Sequence, residues 1–223
     1  MERHIMKKIN FVAASSLFLV LLFTGCGDWR GIRGNGRIKT ESRPVSAFTR
    51  VDAGGYYKLE WHPGPPSFSL TTDENLLSHL RSSMQGDLLK IEMHDTVAPT
   101  HGIKIAITSP SLTGAILSGA LNFNAAQLTG STFALQTGGA AKVTMAGKVN
   151  RLLADLTGAS NLRAADLSAE DVELSVTGAG KADVTVSNLL RAVITGAGNV
   201  SYGGNPKSVE KKITGAGKIE PRD

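Results

Sequence analysis

The sequence predicts an all-β fold, a parallel β-helix or β-solenoid with coils of about 19 residues and wider, irregular coils at its N-terminal end. Three observations predict this fold. A glycine-centred motif recurs at a nearly constant step, apolar and polar residues alternate before each motif, and the chain has 25 glycines but only 5% aromatic residues. Glycine supplies the positive-φ backbone of tight turns, and a core with few aromatics must use small and branched aliphatic side chains.

The glycine motif occurs six times in the second half of the chain. Its leading glycines follow one another at steps of 18 to 20 residues, and they are Gly119, Gly138, Gly158, Gly178, Gly196 and Gly215. A unit this short cannot bury its own apolar face, so neighbouring units must stack on one another. Propellers of the WD type need repeats of about 40 residues, and leucine-rich repeats need a denser leucine pattern. Stacked parallel coils therefore fit the step best.

The residues before each glycine alternate between apolar and polar types. In one copy Val172, Leu174 and Val176 are separated by Glu173 and Ser175. This period of two is typical of a half-buried strand. A second apolar residue follows each glycine turn. Each unit is therefore predicted to contain a strand, a glycine turn, a second strand and another bend.

Two copies depart from this pattern. In the last copy Lys211 stands where other copies have leucine or alanine, and we predict that this lysine covers the exposed end of the terminal coil. In the second copy Gln136 replaces an apolar residue, which predicts a local slip of the strand register.

The first half of the chain is less regular. We interpret residues 37–110 as wider opening coils of the same solenoid, with a second small domain as the alternative. Residues 51–55 resemble a diverged copy of the turn unit. Residues 73–84 predict one or two helical turns, with Asp73 as a candidate cap.

Residues 1–25 have the pattern of a lipoprotein signal peptide, with either Met1 or Met6 as its start. Two lysines precede an apolar, uncharged stretch that is short for a membrane span. The leader ends in LFTGC at residues 22–26, which resembles the lipobox of bacterial prolipoproteins, although Phe23 stands where leucine is usual. In such proteins the cysteine is acylated and becomes the mature N-terminus. The alternative is an ordinary signal peptide followed by an incidental cysteine.

Cys26 is the only cysteine, so the chain has no internal disulfide. Acylation of this residue would anchor the protein to a membrane. Residues 26–36 are then predicted to form a lipidated tether, and residues 37–223 the solenoid. Gly27 stands where aspartate is an inner-membrane retention cue in some bacteria. The sequence therefore predicts an exported cell-envelope protein, an outer-membrane lipoprotein that faces the periplasm or the surface.

Several short motifs, in their order along the chain, resemble the putative auto-transporter adhesin family with a head GIN domain, a bacterial group of unknown function. They are GNGRI at 34–38, FTRV at 48–51, DENL at 73–76, GDL at 86–88 and SPSL at 109–112, followed by the serial glycine units. The resemblance runs from about residue 34 to the C-terminus. It implies a parallel β-helical fold and an exported location, and it adds modest support to an adhesive role.

The sequence contains no recognisable catalytic or metal-binding constellation. His94, Asp95 and His101, with Glu92, are conceivable metal ligands, but their spacing matches no established pattern, and a solvated loop explains them better. Many parallel β-helix proteins are polysaccharide lyases or hydrolases, whose chemistry requires paired carboxylates, or carboxylates with an arginine or lysine base at a cleft. The acidic residues of the repeats are scattered, except for the cluster at positions 170, 171 and 173. We therefore predict no catalytic residue, no metal ion and no cofactor.

Two rows of outward side chains are predicted from the repeats. One precedes the glycines and consists of Ser118, Thr137, Thr157, Thr177, Thr195 and Thr214. The other lies three residues after the glycine in most copies and consists of Asn122, Asn161, Lys181, Asn199 and Lys218. One interpretation is that these side chains satisfy turns and keep the surface soluble. The other is a flat polar face for a glycan or a protein, and we favour the first on sequence alone.

These observations predict a non-catalytic, lipid-anchored protein of the cell envelope that presents a solenoid surface for binding or scaffolding, in the manner of an adhesin. Its expected partners are the membrane, through Cys26, and an envelope protein or glycan. The net charge is +5, of which +3 belongs to residues 26–223, and no basic cluster predicts a nucleic acid partner. The alternatives are an envelope enzyme that acts on polysaccharide and a purely structural protein without a ligand.

Overall fold

The computed structural model describes residues 31–222. These residues form stacked parallel coils, a β-solenoid of about five turns, so the predicted fold class is confirmed. Within this part of the chain no helix is long and apolar enough to cross a membrane. The leader and Cys26 lie outside the described residues.

The strands of the opening half are short, and those of the repeat half are long. The opening half contains β1 (Ile32–Arg33), β2 (Ile38–Ser42), β3 (Arg50–Gly55), β4 (Lys58–Pro63), β5 (Ser67–Asp73), a 3-10 helix (Glu74–His79), β6 (Leu80–Gln85), β7 (Leu88–Met93), β8 (Val97–Ala98) and β9 (Lys104–Ser109). The repeat half contains β10 (Gly114–Gly119), β11 (Asn122–Gly139), β12 (Lys142–Gly158), β13 (Asn161–Gly178), β14 (Lys181–Gly196), β15 (Asn199–Gly203), β16 (Ser208–Gly215) and β17 (Lys218–Pro221).

Each long strand pairs in parallel with the next one along the chain. β11 pairs with β12, β12 with β13 and β13 with β14, while β15 and β16 continue the stack above the two halves of β14. The long strands bend where the pairing register shifts, as between Ala125 and Leu128. One long strand therefore makes most of one coil, and the glycine motif makes the sharp corner to the next strand.

Stacked glycines, which we call the glycine column, form this corner. Their φ angles are all positive, and they are Gly55, Gly119, Gly139, Gly158, Gly178, Gly196 and Gly215. From Gly119 onward, a Cβ on any of them would come closer than 3.0 Å to the carbonyl oxygen of the glycine in the preceding coil. Both the backbone angle and the contact between coils therefore require glycine.

The second copy of the motif is aligned one residue later than predicted. Gly139, and not Gly138, stacks on Gly119, and the pairing of residues 132–139 with the next strand continues without interruption. The predicted register slip at Gln136 is therefore wrong. The motif has two adjacent glycines here, and the burial of the apolar side chains determines which of them occupies the corner. A shift of one residue would place every side chain of the strand on the opposite face.

This alignment turns Thr137 into the core, where the neighbouring coils place Leu117 and Leu156. Among the described residues, its hydroxyl is the one buried side-chain polar atom without a hydrogen-bond partner. Replacing Thr137 with valine, which has nearly the same shape, removes this desolvation cost. We expect the free energy of unfolding to rise by about 1–2 kcal/mol, measured by urea denaturation. Thr157→Val, on the exposed row, should change it by less than about 0.5 kcal/mol, and a Thr137→Val variant no more stable than this control would contradict the argument.

The opening half continues the solenoid and adds antiparallel strands to it. β3 pairs in parallel with β10, so residues 51–55 are a turn unit as predicted, and β4 pairs in parallel with both β11 and β9. Three strands of these irregular opening coils depart from the parallel stacking. β2 and β5 are antiparallel to each other, β5 is antiparallel to β9, and β6 is antiparallel to β7.

Part of the predicted tether belongs to the folded unit, because β1 pairs in parallel with β8. The helix predicted over residues 73–84 is a 3-10 helix of six residues, and the chain then enters β6. Asp73 makes no capping hydrogen bond to this helix. Its buried carboxylate instead accepts hydrogen bonds from the N–H of Gly36 at 2.7 Å, from the N–H of Thr100 at 2.9 Å and from the Thr100 hydroxyl at 2.7 Å.

The inward side chains of all coils form one continuous core. Its largest fully buried members include Trp61, Phe123 and Phe133. At the C-terminal end, Lys211 lies with its amine 4.9 Å from the centre of the Tyr202 ring and donates a hydrogen bond of 3.1 Å to the carbonyl of Ile219. This lysine covers the last coil, as its position in the sequence predicts.

Candidate functional site

A row of alternating asparagine and lysine side chains runs along one face of the solenoid. In each coil an apolar residue directly after the row, such as Phe123 or Val143, points into the core, so the residue before it must point outward. The pairing register stacks these outward residues coil on coil. We call this row the Asn–Lys column, and it consists of Lys58, Asn122, Lys142, Asn161, Lys181, Asn199 and Lys218. The register places Lys104 directly below Lys58, so the alternation of asparagine and lysine begins at Lys58.

The spacing of the Asn–Lys column follows from the spacing of the strands. Adjacent strands of a sheet lie about 4.8 Å apart, so lysines on every second coil lie about 9.6 Å apart. The asparagine between two lysines keeps their charges from meeting at the shorter distance. The five residues predicted for this row, Asn122, Asn161, Lys181, Asn199 and Lys218, all lie in the column.

Two members of the column were missed by the sequence prediction. Lys142 was missed because the second motif was aligned on Gly138, which places Ala141 at the third position, whereas Gly139 places Lys142 there. The apolar Val143 that follows Lys142, as Leu162 follows Asn161, was the signal that could have found it. Lys58 belongs to a coil whose glycine unit has diverged, although it lies three residues after Gly55 and directly before the apolar Leu59, and the pairing of β4 with β11 shows its place.

The asparagines of the column do not support the turns through their side chains. Their backbone N–H groups donate to the coil below at 2.8–3.0 Å, for example from Asn161 to Ala141. Among residues 31–222, the side-chain amides of Asn122, Asn161 and Asn199 form no hydrogen bond within the protein. Each amide therefore offers one acceptor and two donor hydrogens to a ligand.

A second row, two residues further along each strand, flanks the column. It is mixed in charge, and its members are Glu60, Asn124, Thr144, Arg163, Asp183, Ser201 and Glu220. Two of its carboxylates are paired. Glu60 lies 2.5 Å from the amine of Lys58, and Asp183 lies 2.5 Å from the guanidinium of Arg222. The ion pair with Lys58 lowers the pKa of Glu60, chiefly through its hydrogen bond.

Four cations of this face remain unpaired. Within the described part of the chain, no carboxylate lies within 4.0 Å of Lys142, Arg163, Lys181 or Lys218. A groove of about 460 Å³ runs between the two rows, and Arg163 and Lys181 line it together with Asn161, Asp166, Asn199 and Glu220. A smaller groove of about 230 Å³, lined by Lys58, Asn122, Lys142 and Arg163, continues it toward the opening coils. The face is thus a long, shallow and moderately cationic channel.

The predicted hydroxyl row lies beside the glycine column. Ser118, Thr157, Thr177, Thr195 and Thr214 stack in it and are exposed, but Gly138 takes the place predicted for Thr137. None of these side chains lines the two grooves of the Asn–Lys face. The candidate site is therefore the Asn–Lys column and not the hydroxyl row.

The acidic cluster near residue 170 is divided between faces. Glu170 lines a groove of about 320 Å³, whereas Glu173 lies in a different groove of about 400 Å³ with Asp155 and Arg191. Asp171 accepts a hydrogen bond of 2.7 Å from the side-chain amide of Asn188. These three carboxylates therefore do not form one acid–base site.

The four conceivable metal ligands are not brought together. Asp95 lies 2.7 Å from the imidazole of His79, and this contact lowers the pKa of Asp95. His101 lies 3.0 Å from the Thr100 hydroxyl, and Glu92 pairs with Lys90 at 2.8 Å. Within residues 31–222 no group of three or more histidine, cysteine, aspartate or glutamate side chains is placed to hold a metal ion.

The sequence profile of one protein family, described as "Putative auto-transporter adhesin, head GIN domain", matches residues 47–206. No curated protein matches the chain. Solved structures show the same fold. One from Bacteroides fragilis, called a putative adhesin, has a TM-score of 0.72 at 20% identity and covers 86% of this chain and 100% of its own.

Two further structures resemble the chain less closely. One from Parabacteroides merdae, also called a putative adhesin, has a TM-score of 0.55 at 22% identity and covers 86% of this chain and 99% of its own. Another from Parabacteroides distasonis, called a putative lipid binding protein, has a TM-score of 0.54 at 21% identity and covers 87% of this chain and 100% of its own. At these identities the likeness is one of fold.

Proposed function

Because the chain belongs to the family described as putative auto-transporter adhesins with a head GIN domain, we propose that it is a non-catalytic, adhesin-like protein of the cell envelope. It presents one face of a rigid solenoid to a partner. The observation that carries this proposal is the Asn–Lys column, in which amides without hydrogen bonds among the described residues and unpaired amines repeat in register along the repeats.

The solenoid suits this role because its face is preorganised. Every member of the column is held in a strand whose backbone is hydrogen-bonded to the neighbouring coils, and the buried residues beneath it form one continuous core. A partner that binds such a surface loses little affinity to the ordering of the protein backbone.

Anchoring through Cys26 completes the proposal. Two or three acyl chains hold a protein stably at a membrane, whereas one chain gives marginal binding. Gly27 after the cysteine favours the outer membrane in a cell that has one. The folded unit begins by Ile32, so the tether from the lipid to the first strand is only a few residues long. Such a tether keeps the solenoid close to the membrane.

Metabolic labelling with an alkynyl fatty acid tests the anchor. The full chain should be labelled and should sediment with membranes, whereas Cys26→Ser should be unlabelled. Cys26→Ala serves as a second variant, because an alanine side chain can neither be acylated nor form the hydrogen bonds that serine forms. Equal labelling of the wild type and both variants would show that Cys26 carries no lipid.

A photo-crosslinking residue tests the binding face in living cells. Placed at Asn161, on the Asn–Lys column, it should form adducts with an envelope component. The same residue at Ser187, which is exposed and lines a groove on another face, should form few or none. Adducts at neither position, or adducts that are equal at both, would contradict a binding function for this face.

The groove lined by Asp155, Glu173 and Arg191 favours one other function, an enzyme that acts on envelope polysaccharide. Glu173 lies 3.8 Å from the guanidinium of Arg151, and such an arrangement of acids and cations can position a sugar for acid–base chemistry. Release of reducing ends from a polysaccharide by the wild type, lost in Asp155→Asn, would favour the enzyme.

A further inference from the structure

We propose that the Asn–Lys column binds a single extended chain of an acidic polysaccharide that lies along the solenoid axis. The carboxylates of the polysaccharide face Lys142, Lys181 and Lys218, and its hydroxyls face the asparagines between these lysines. The inference rests on the proposed binding function and names the partner of the same face.

The charge of the face supports an anionic ligand. Lys142, Lys181 and Lys218 are exposed, and none has a carboxylate partner within the described residues. Arg163, beside the column, is likewise unpaired. Two carboxylates in the same groove, Asp166 and Glu220, offset part of this charge. The net positive charge of the face is therefore modest. Recognition of the ligand must depend on the positions of the charges more than on their number.

The geometry of the column supports a linear polymer with repeating charges. The amines recur on every second coil, about 9.6 Å apart, over the whole repeat half. A small anion would use one lysine and leave the repetition unexplained. One pyranose residue of an extended polysaccharide is about as long as one coil, so every second uronate meets a lysine and every other one meets an asparagine. Amide groups can donate to and accept from sugar hydroxyls.

The width of the column favours one polysaccharide chain over a nucleic acid duplex or a lipid surface. The lysines stand in a single file. The row beside them contains one cation that is unpaired among the described residues, Arg163, together with Asp183, which is paired with Arg222, and Glu220. A duplex presents two rows of phosphates, and its binding proteins carry a broad basic face. Anionic lipids likewise attract clusters of basic residues. A single file of separated lysines with one arginine beside it matches neither surface.

The face has no aromatic member in either of its two rows. Stacking of sugar rings therefore adds little, and the affinity depends on exposed ion pairs, which are individually weak and are screened by salt. We expect moderate affinity at low ionic strength that falls steeply as salt is added. Many such contacts along a polymer together give useful binding.

The test uses the full chain in detergent micelles and polygalacturonate immobilised on a sensor surface. The wild type should bind, and the triple variant Lys142→Gln, Lys181→Gln, Lys218→Gln should bind about tenfold more weakly. A second triple variant, Lys148→Gln, Lys207→Gln, Lys212→Gln, loses the same charge from exposed positions off the column. It should bind within twofold of the wild type. Melting temperatures of all three proteins should agree.

A methyl-esterified polygalacturonate, which has the same backbone without charge, should not bind. Equal losses in the two triple variants, or equal binding of the ester or of duplex DNA, would overturn the inference. If the column variant keeps wild-type affinity while crosslinking at Asn161 in cells persists, the acidic polysaccharide is wrong and the binding function stands. If the wild type binds no polygalacturonate and the crosslinking also fails, both fail.

Discussion

Replacing Gly139 with alanine is expected to lower the free energy of unfolding by about 2–4 kcal/mol. Gly139 has a φ of +99°, a conformation that costs any residue with a Cβ about 1–2 kcal/mol. The new Cβ would also lie 2.7 Å from the carbonyl oxygen of Gly119, which already accepts the N–H of Ala140 at 2.9 Å. A backbone movement that relieves this contact would therefore weaken the hydrogen bond from Ala140 to Gly119, which joins two coils. Urea denaturation measures the loss.

The neighbouring residue provides a matched control. Gly138 is in an ordinary conformation, and a Cβ built on it meets no atom within 4 Å. Gly138→Ala should therefore change the free energy of unfolding by less than about 0.5 kcal/mol, or raise it slightly through the reduced entropy of the unfolded chain. Comparable losses in the two variants would show that the corner is not set by the glycine column, and that the alignment of the second motif is wrong.

Asp73→Asn is expected to lower the melting temperature by roughly 5–10 °C at pH 7. The two carboxylate oxygens accept three hydrogen bonds, one from Gly36 and two from Thr100. Asparagine has the same shape, but its NH₂ group faces at least one of these donors in either orientation. The side chain joins the segment before β2 to the loop before β9, so its loss should loosen the opening half first.

The effect of Asp73→Asn should depend on pH. Burial alone would raise the pKa of the Asp73 carboxyl, but the hydrogen bonds from Thr100 and Gly36 outweigh it and hold the pKa below its ordinary value. A carboxyl with a lowered pKa in the folded state contributes its full stability above the ordinary aspartate pKa of about 3.9. The contribution is lost as the pH falls through the folded pKa. The difference from the wild type should therefore be constant from pH 7 to about pH 5 and shrink below about pH 4.

Thermal denaturation monitored by circular dichroism across this pH range gives the comparison. Asp155→Asn makes the same chemical change at an exposed position and should leave the melting temperature unchanged at pH 7. A difference between Asp73→Asn and the wild type that stays constant down to pH 2 would mean that ionisation of Asp73 does not stabilise the fold.

The repeat half of the fold could be predicted from the sequence because its determinants are local and repeated. Alternation of apolar and polar residues fixes which face of each strand is buried, and the step of 18 to 20 residues fixes the coil. The position of Gly139 could not be predicted from the motif alone, since two glycines are adjacent. The core decides between them, and the core is a property of stacked coils.

The opening half could be predicted only in part, since its pairing is not periodic. The pairing of β6 with β7 is a local hairpin, and its two-residue loop, Gly86 and Asp87, was a signal that could have found it. The antiparallel strands β2 and β5, by contrast, pair with partners that no local pattern specifies. The role of Asp73 was misassigned for the same reason. An aspartate before a helical segment commonly caps it, but Gly36 and Thr100 are distant in sequence and offer better donors.

The candidate site could likewise be predicted where the repeats are regular but not where they diverge. The five repeat positions of the Asn–Lys column were predicted, and the missed Lys142 and Lys58 both lie where the motif is misaligned or diverged. The absence of side-chain hydrogen bonds from Asn122, Asn161 and Asn199, among the described residues, could come only from the structure. It is this absence that favours a ligand-binding role over the turn-supporting role preferred from the sequence.

The alternation of asparagine and lysine in the Asn–Lys column constrains how the number of repeats can change during evolution. Loss of the single repeat at residues 161–180 would stack Lys142 directly under Lys181, with two amines about 4.8 Å apart. Duplication or loss of two repeats together would preserve the alternation. Within the repeat half, lengthening or shortening by pairs of coils is therefore neutral for the charge pattern, and related chains should differ in repeat number by two more often than by one. A direct lysine–lysine stack, Lys58 on Lys104, lies in the opening half, where Glu60 pairs with Lys58.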